Sequence, residues 1–188
     1  MFRILLFLTV GLNAPSLLAA DFRSVDWGAS ESEVRAAHEN AEPDAKSEGI
    51  IAYKGRLGEL DVLVMYMFDD SGRLTAGGYS STEQYVNKNN HIDDYEALNG
   101  LLRDKYTQSK PFRINWINDL YKDDYSNWGT AISAGYLQYW WEFESDRTRI
   151  THVLGGENFS INHVLRYESK TLAAEQAEKD KEKVLDNL

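Results

Sequence analysis

The chain has 188 residues, 43% of them hydrophobic, with no cysteine and with 30 Asp and Glu against 20 Lys and Arg, a formal net charge of -10. This balance excludes nucleic acid as a natural partner, since duplex binding needs a basic face that displaces counterions. The lack of cysteine removes disulfides, thiolate nucleophiles, cysteine-ligated metals and a lipid-bearing cysteine anchor.

Residues 1–20, MFRILLFLTVGLNAPSLLAA, carry Arg3, an apolar run from Ile4 to Leu12, a break at Asn13 to Pro15 and the small pair Ala19-Ala20. They read as a secretory signal peptide cut before Asp21. Interrupted in this way, the run is too short to span a bilayer, so no integral membrane segment is expected after cleavage. Cleavage removes Arg3 and no acid, which moves the net charge from -10 to -11. The expected location is the bacterial periplasm or the medium. With 5 Trp, 11 Tyr and 7 Phe, the remainder has the material for an ordinary core.

Ser30 and Glu33 have the spacing of a capping box, and Val34, Ala37 and Ala41 give a weak stripe to a helix of about three turns that Pro43 ends. The stretch GIIAYKGRLGELDVLVMYMFDDSGRLTAGGYSS reads as three antiparallel strands. A first turn at Leu57-Gly58 pairs Arg56 with Glu59, Lys54 with Asp61 and Tyr53 with Val62. A three-residue loop at Asp70-Ser71-Gly72 pairs Phe68 with Leu74 and Tyr66 with Ala76. One face then gathers Ile51, Tyr53, Val62, Val64, Tyr66, Phe68, Leu74 and Ala76, while Leu63, Met65 and Met67 lie on the other and need either a cover or a ligand. Gly77-Gly78 marks a bulge or a close crossing by another element.

A second helix is predicted from Ile92 to Tyr106, with Ile92, Tyr95, Leu98, Leu102 and Tyr106 on one side. After Pro111 a short strand is expected near Phe112 to Trp116, a helical turn or two around Asp119 to Asn127, and a strand starting near Thr130. In the last hairpins, a turn at Ser145-Asp146 pairs Glu144 with Arg147, Glu142 with Arg149, Trp141 with Ile150 and Tyr139 with His152. A turn at Gly155 to Asn158 pairs Leu154 with Phe159, His152 with Ile161 and Ile150 with His163. Leu137, Tyr139, Trp141, Phe143, Ile150, Leu154, Phe159, Ile161 and Leu165 share the dry face. Ser169 caps a charged helix over residues 169–188, read as a tail lying on the domain.

The predicted architecture is α+β: two αβββ halves, about residues 21–88 and 89–168, with helices on one sheet face, followed by the charged C-terminal helix. Within it, four histidines are candidates for chemistry. His38 has no second histidine at helical spacing, and His91 sits in a polar stretch as a surface residue would. His152 and His163 project diagonally from neighbouring strands onto one face, either as core histidines satisfied by hydrogen bonds or as two ligands of a metal. Asp119, Asp123 and Asp124 lack the alternating oxygens and glycine of a calcium loop, and the chain carries no hydrolase elbow, phosphate loop or dinucleotide fingerprint. The candidate binding residues are Trp116, Tyr121, Tyr125 and Trp128 in the irregular middle segment and Trp140 on the polar sheet face. They read either as an exposed contact site for protein or carbohydrate or as plugs of the core.

Trp27-Gly28 before Ser30, Glu33 and Val34, then a meander ending in Tyr66-x-Phe68 and Gly72-Arg73-Leu74, resembles the helix-plus-meander domains of exported bacterial envelope proteins. Among these are the BamE/SmpA-type outer-membrane assembly lipoproteins and the beta-lactamase inhibitor proteins. The likeness covers about residues 22–80, and the chain departs from the lipoproteins in having no lipid-bearing cysteine. It implies that Trp27 docks the helix start onto the sheet while Gly28 lets the backbones approach. The resulting expectation is a non-catalytic binding or interaction module of the envelope, without a cofactor, whose partner is a protein, a small molecule or a glycan. The alternative is a metal-dependent or acid/base hydrolase using His152 and His163.

Overall fold

Ser30 and Glu33 form the capping box, with the Glu33 amide donating to Ser30 Oγ and the Ser30 amide to Glu33 Oε2, and so begin helix α1 (Glu31–Ala37). The structure, a computed structural model, describes residues 20–185; apart from Ala20 the predicted leader lies outside the described residues, as do residues 186–188 of the predicted tail helix. α1 is two turns long rather than three, because Glu39 and Asn40 at φ 56° and 57° leave the helical region before Pro43 is reached. Its stripe reduces to Val34, which is fully buried, while Ala37 is exposed.

Among the described residues nine strands form one antiparallel sheet: β1 (Ala45–Ser47), β2 (Ile50–Leu57), β3 (Leu60–Phe68), β4 (Leu74–Ser81), β5 (Gln108–Ser109), β6 (Arg113–Trp116), β7 (Leu137–Glu144), β8 (Thr148–Glu157) and β9 (Ser160–Ser169). Their spatial order is β1-β2-β3-β4-β9-β8-β7-β5, with β6 also against β7. Helices α2 (Asn90–Lys105), α3 (Trp128–Ser133) and α4 (Lys170–Leu185) complete an α+β fold. α1 is followed by the four strands β1–β4, whereas β5, β6 and α3 intervene between α2 and the run β7–β9; β4 and β9 pair with each other.

Turn chemistry, rather than facing charges, sets the hairpin registers. Gly58 at φ 62° leads the two-residue turn between β2 and β3, so Arg56 faces Asp61 and Tyr53 faces Val64, two residues from the predicted alignment. The β7-β8 turn is longer than predicted: Ser145 N donates to Thr148 O, which places Glu144 opposite Arg149 and Trp141 opposite His152. Between β8 and β9, Asn158 and Phe159 at φ 50° and 63° have the signs of a type I′ turn, and His152 comes to face Leu165. The slips are of two, two and four residues, all even, and each therefore preserves which side chains point inward.

Phe159 is the exception, since it occupies the turn itself and is exposed. Phe68 pairs with Leu74 as predicted, but a bulge follows and sets Tyr66 opposite Gly77 and Met67 opposite Ala76.

The bulge brings Gly77 under the N-terminal segment. A Cβ at Gly77 would lie 2.3 Å from the Phe22 ring, so the residue is a glycine because another element crosses there. Gly28 differs from its expected role: nothing approaches within 4 Å of a Cβ built on it, and its φ of 89° is what the site demands. Gly28 N donates to Leu74 O, and Leu74 N to Ala29 O, which hooks the start of α1 onto β4.

Three buried clusters line the helix-bearing face. Phe22, Val34, Ile51, Tyr53, Tyr66 and Leu74 lie beneath α1 and the N-terminal segment. Ile92, Tyr95, Ile132, Leu137, Tyr139 and Leu154 lie beneath α2 and α3, and Leu102, Phe143, Ile150 and Leu165 form a third cluster in which Tyr79 and Tyr167 of the first recur. On the opposite face Leu63, Met65 and Met67 are half-buried. The first turns of α4 stand beside that face, held by Arg73–Glu175 at 3.1 Å and Lys170–Glu144 at 2.7 Å, and Ser169 Oγ accepts from Leu172 N.

Candidate functional site

Two places gather the residues with chemical potential, one buried beneath α2 and one at the β6 edge. At the first, His152 on β8 and His163 on β9 meet diagonally with their Nε2 atoms 2.8 Å apart, 0% and 4% exposed. Asn99 of α2 fixes the proton positions. His152 Nδ1–H donates to Asn99 Oδ1 at 2.7 Å, so His152 Nε2 carries a lone pair and accepts from His163 Nε2–H. His163 Nδ1 is then left buried without a hydrogen-bond partner.

Tyr95 stacks on His152 at 4.1 Å between ring centroids, and its hydroxyl donates to the His152 carbonyl. Burial, followed by the field of His163, holds the His152 imidazole well below its ordinary range; burial, followed by His91, pushes His163 down to about 4. Both rings are neutral near pH 7.

A shared metal would need both Nε2 lone pairs aimed at one ion, about 2.0–2.1 Å from each. Here the two atoms bond to one another, and among the described residues no group of three or more His, Cys, Asp or Glu is placed to hold an ion. The arrangement holds two strands and a helix together. The diagonal placement was readable from strand alternation, but Asn99 was not, because nothing in the sequence distinguishes it from a solvated helical amide.

The other histidines also serve packing. His91 is buried against the Tyr85 ring in the first turn of α2, not on the surface as its polar neighbours suggested. His38 stacks on Tyr53 at 3.8 Å and shares a 2.8 Å hydrogen bond with the Tyr66 hydroxyl.

At the second place, the middle segment folds against the free side of β7. β6 forms where predicted, whereas the strand expected from Thr130 is the helix α3. Tertiary contact decides this: a Cβ at Gly129 would lie 2.3 Å from the Lys88 carbonyl carbon, and Gly129 N donates to Asn89 Oδ1, which seats a short helix on the start of α2. Asp124 accepts from Ser126 N and opens a 3-10 turn at Tyr125–Asn127; Asp119 pairs with Lys122.

Four of the five candidate aromatics come together here. Trp116 and Trp128 meet edge to face at 5.5 Å, Tyr125 lies 5.1 Å from Trp128, and Tyr121 stacks on Tyr136. Trp116, Tyr121 and Trp128 are half-buried against the second core cluster, so each serves the core and borders the surface. Tyr125 is 53% exposed, and in the same segment Ile114, Ile117 and Leu120 are 44%, 68% and 67% exposed. The three aliphatic residues were missed because no periodicity marks a surface patch. Trp140 stands apart on the opposite sheet face, where its Nε1 donates to Glu142 Oε1 and Glu142 pairs with Lys110.

Acids flank the patch. Burial, and after it the Glu96 and Asp93 carboxylates of α2, hold the Tyr125 phenol above its ordinary range. Glu96 acts in the same direction on Tyr139, again after burial.

Comparison of the chain with protein-family models, with curated proteins and with solved structures gives no match. Among the described residues no helix is long and apolar enough to cross a membrane.

Proposed function

We propose that the chain is a non-catalytic interaction module of the bacterial envelope that engages a protein at the surface made by β6, the 3-10 turn and α3. The observation that carries this reading is the run of exposed Ile114, Ile117, Leu120 and Tyr125 along the segment that also carries half-buried Trp116 and Trp128. Aromatic anchors set among aliphatic side chains are the usual composition of a protein contact site. The non-catalytic part is supported by the histidine pair, three of whose four ring nitrogens are taken up by bonds to each other and to Asn99 beneath α2. The exported location rests on the leader pattern of residues 1–20, and the envelope on the resemblance carried by Trp27 to Leu74.

Photo-crosslinking in the source cells tests the reading. A benzophenone side chain at Ile117 should give a discrete protein adduct, while one at Leu101, which is 63% exposed on α2, should not. Equal labelling at both positions, or none at Ile117, sinks it.

A further inference from the structure

Ile117 N donates to Tyr136 O, and the ladder pairs Arg113 with Trp140 and Asn115 with Gln138. Antiparallel alternation turns the amides of residues 113 and 115 toward β7 and leaves those of Ile114 and Trp116 pointing away from the sheet. Among the described residues β6 is thus a sheet edge whose outward donors and acceptors have no partner. On its helix-bearing side this edge is bordered by the exposed side chains of Phe112, Ile114 and Tyr125. Asp93 and Glu96 stand beside Tyr125, both exposed, and neither is paired with a cation among the described residues.

Resting on the interaction reading above, we infer that the occupant of this surface is an extended, lysine- or arginine-rich segment of a partner protein. It adds to β6 as a further strand and directs alternate cationic side chains toward Asp93 and Glu96. Main-chain bonds to Ile114 and Trp116 supply sequence-independent attachment, and side chains on one face of the added strand read the acidic border. The aliphatic stems of Lys and Arg suit the apolar shelf of Phe112, Ile114 and Tyr125, and their heads suit the carboxylates and the rings. A second copy of this chain fits poorly, because it would bring another surface bearing Asp93 and Glu96 to the same place in a protein of formal net charge -10.

The test is selection of a random dodecapeptide phage library on the purified chain, followed by anisotropy titration of the synthesised winners. Peptides with Lys or Arg at alternate positions should emerge and should weaken with added salt. Ile114→Pro removes only an outward N–H, which an edge strand tolerates, and should weaken binding at least tenfold with the unfolding midpoint retained. Methylating alternate backbone amides of the peptide should do the same, which keeps the test intact if that variant fails to fold. The paired change Asp93→Asn and Glu96→Gln should also weaken binding at least tenfold. Tight binding by both Ile114→Pro and the methylated peptide overturns the added strand. Winners that are acidic or uncharged overturn the cationic partner while leaving the interaction surface standing. Recovery of no peptide that Tyr125→Ala releases overturns both, and a dimer in sedimentation that Ile114→Pro dissociates assigns the edge to a second copy instead.

Discussion

The indole Nε1 of Trp27 donates to Thr148 Oγ1 at 3.0 Å across 121 residues of sequence. The bond ties the entry to α1 to the first residue of β8, and it is one of several there. Asp21 accepts from Trp27 N and pairs with Arg147 at 2.9 Å, and Lys170 N donates to Arg147 O. Trp27 therefore docks α1 as expected, and also ties the segment before α1 to the start of β8. Trp27→Phe keeps the ring beside Phe22 but strands a buried hydroxyl, and should cost about 1–2 kcal/mol; Trp27→Ala should cost about 3 kcal/mol or more. Urea unfolding of both variants measures the difference. Equal midpoints would show that the indole N–H contributes nothing.

Gly77 tolerates no side chain. Gly77→Ala forces the Phe22 ring aside and should destabilise by about 1–3 kcal/mol, the usual range for overpacking a dense core. In the background of Phe22→Ala, itself destabilising, the second cost should shrink, and a double-mutant cycle reads the coupling. Additive costs would mean that the two residues do not touch.

The histidine pair makes stability depend on pH. His163 is held near 4, and His152 is also depressed, whereas the unfolded chain titrates its histidines near the ordinary value of about 6.5. Between these values the unfolded state binds more protons, so stability is present above about 6.5 and is lost as pH falls toward 4. The His163 share is on the order of 3 kcal/mol. Denaturant midpoints from pH 7.5 to 4.5 should fall steeply for the wild type and more shallowly for His163→Gln.

The patch residues should separate by role. Ile117→Ser and Leu120→Ser should leave stability within about 0.5 kcal/mol, as exposed positions do. Trp128→Ala, which removes a ring packed on the second core cluster, should cost about 2 kcal/mol or more. Loss of stability from the serine variants would place these side chains inside the fold.

Strand alternation made the inward faces legible even though three hairpin registers were wrong, because even slips conserve parity. Tyr139, Phe143, Ile150, Leu154 and Leu165 are buried as read. The registers themselves depended on backbone signs at Gly58, Asn158 and Phe159, and opposite charges at Glu142 and Arg149 offered a misleading alternative; in the structure Arg149 pairs with Glu168 and Glu142 with Lys110. Surface ion pairs of a few tenths of a kcal/mol cannot override a turn. α3 was illegible because Trp128–Ser133 is helical through packing on Asn89 rather than through its own pattern. His91 misled for a related reason: its polar neighbours belong to a helix start, while its own ring faces the core.

The position of β9 governs how the molecule is assembled in time. A ribosome delivers residues 160–169 after the other eight described strands, yet they lie between β4 and β8 in the interior of the sheet. Until they emerge, β4 presents a bare flank and the Phe22 ring lacks its Tyr167 neighbour. Contacts so distant along the chain form slowly, and the nascent polypeptide therefore stays open until β9 is available. Truncation before Ser160 should leave a protease-sensitive, aggregation-prone chain instead of half a domain.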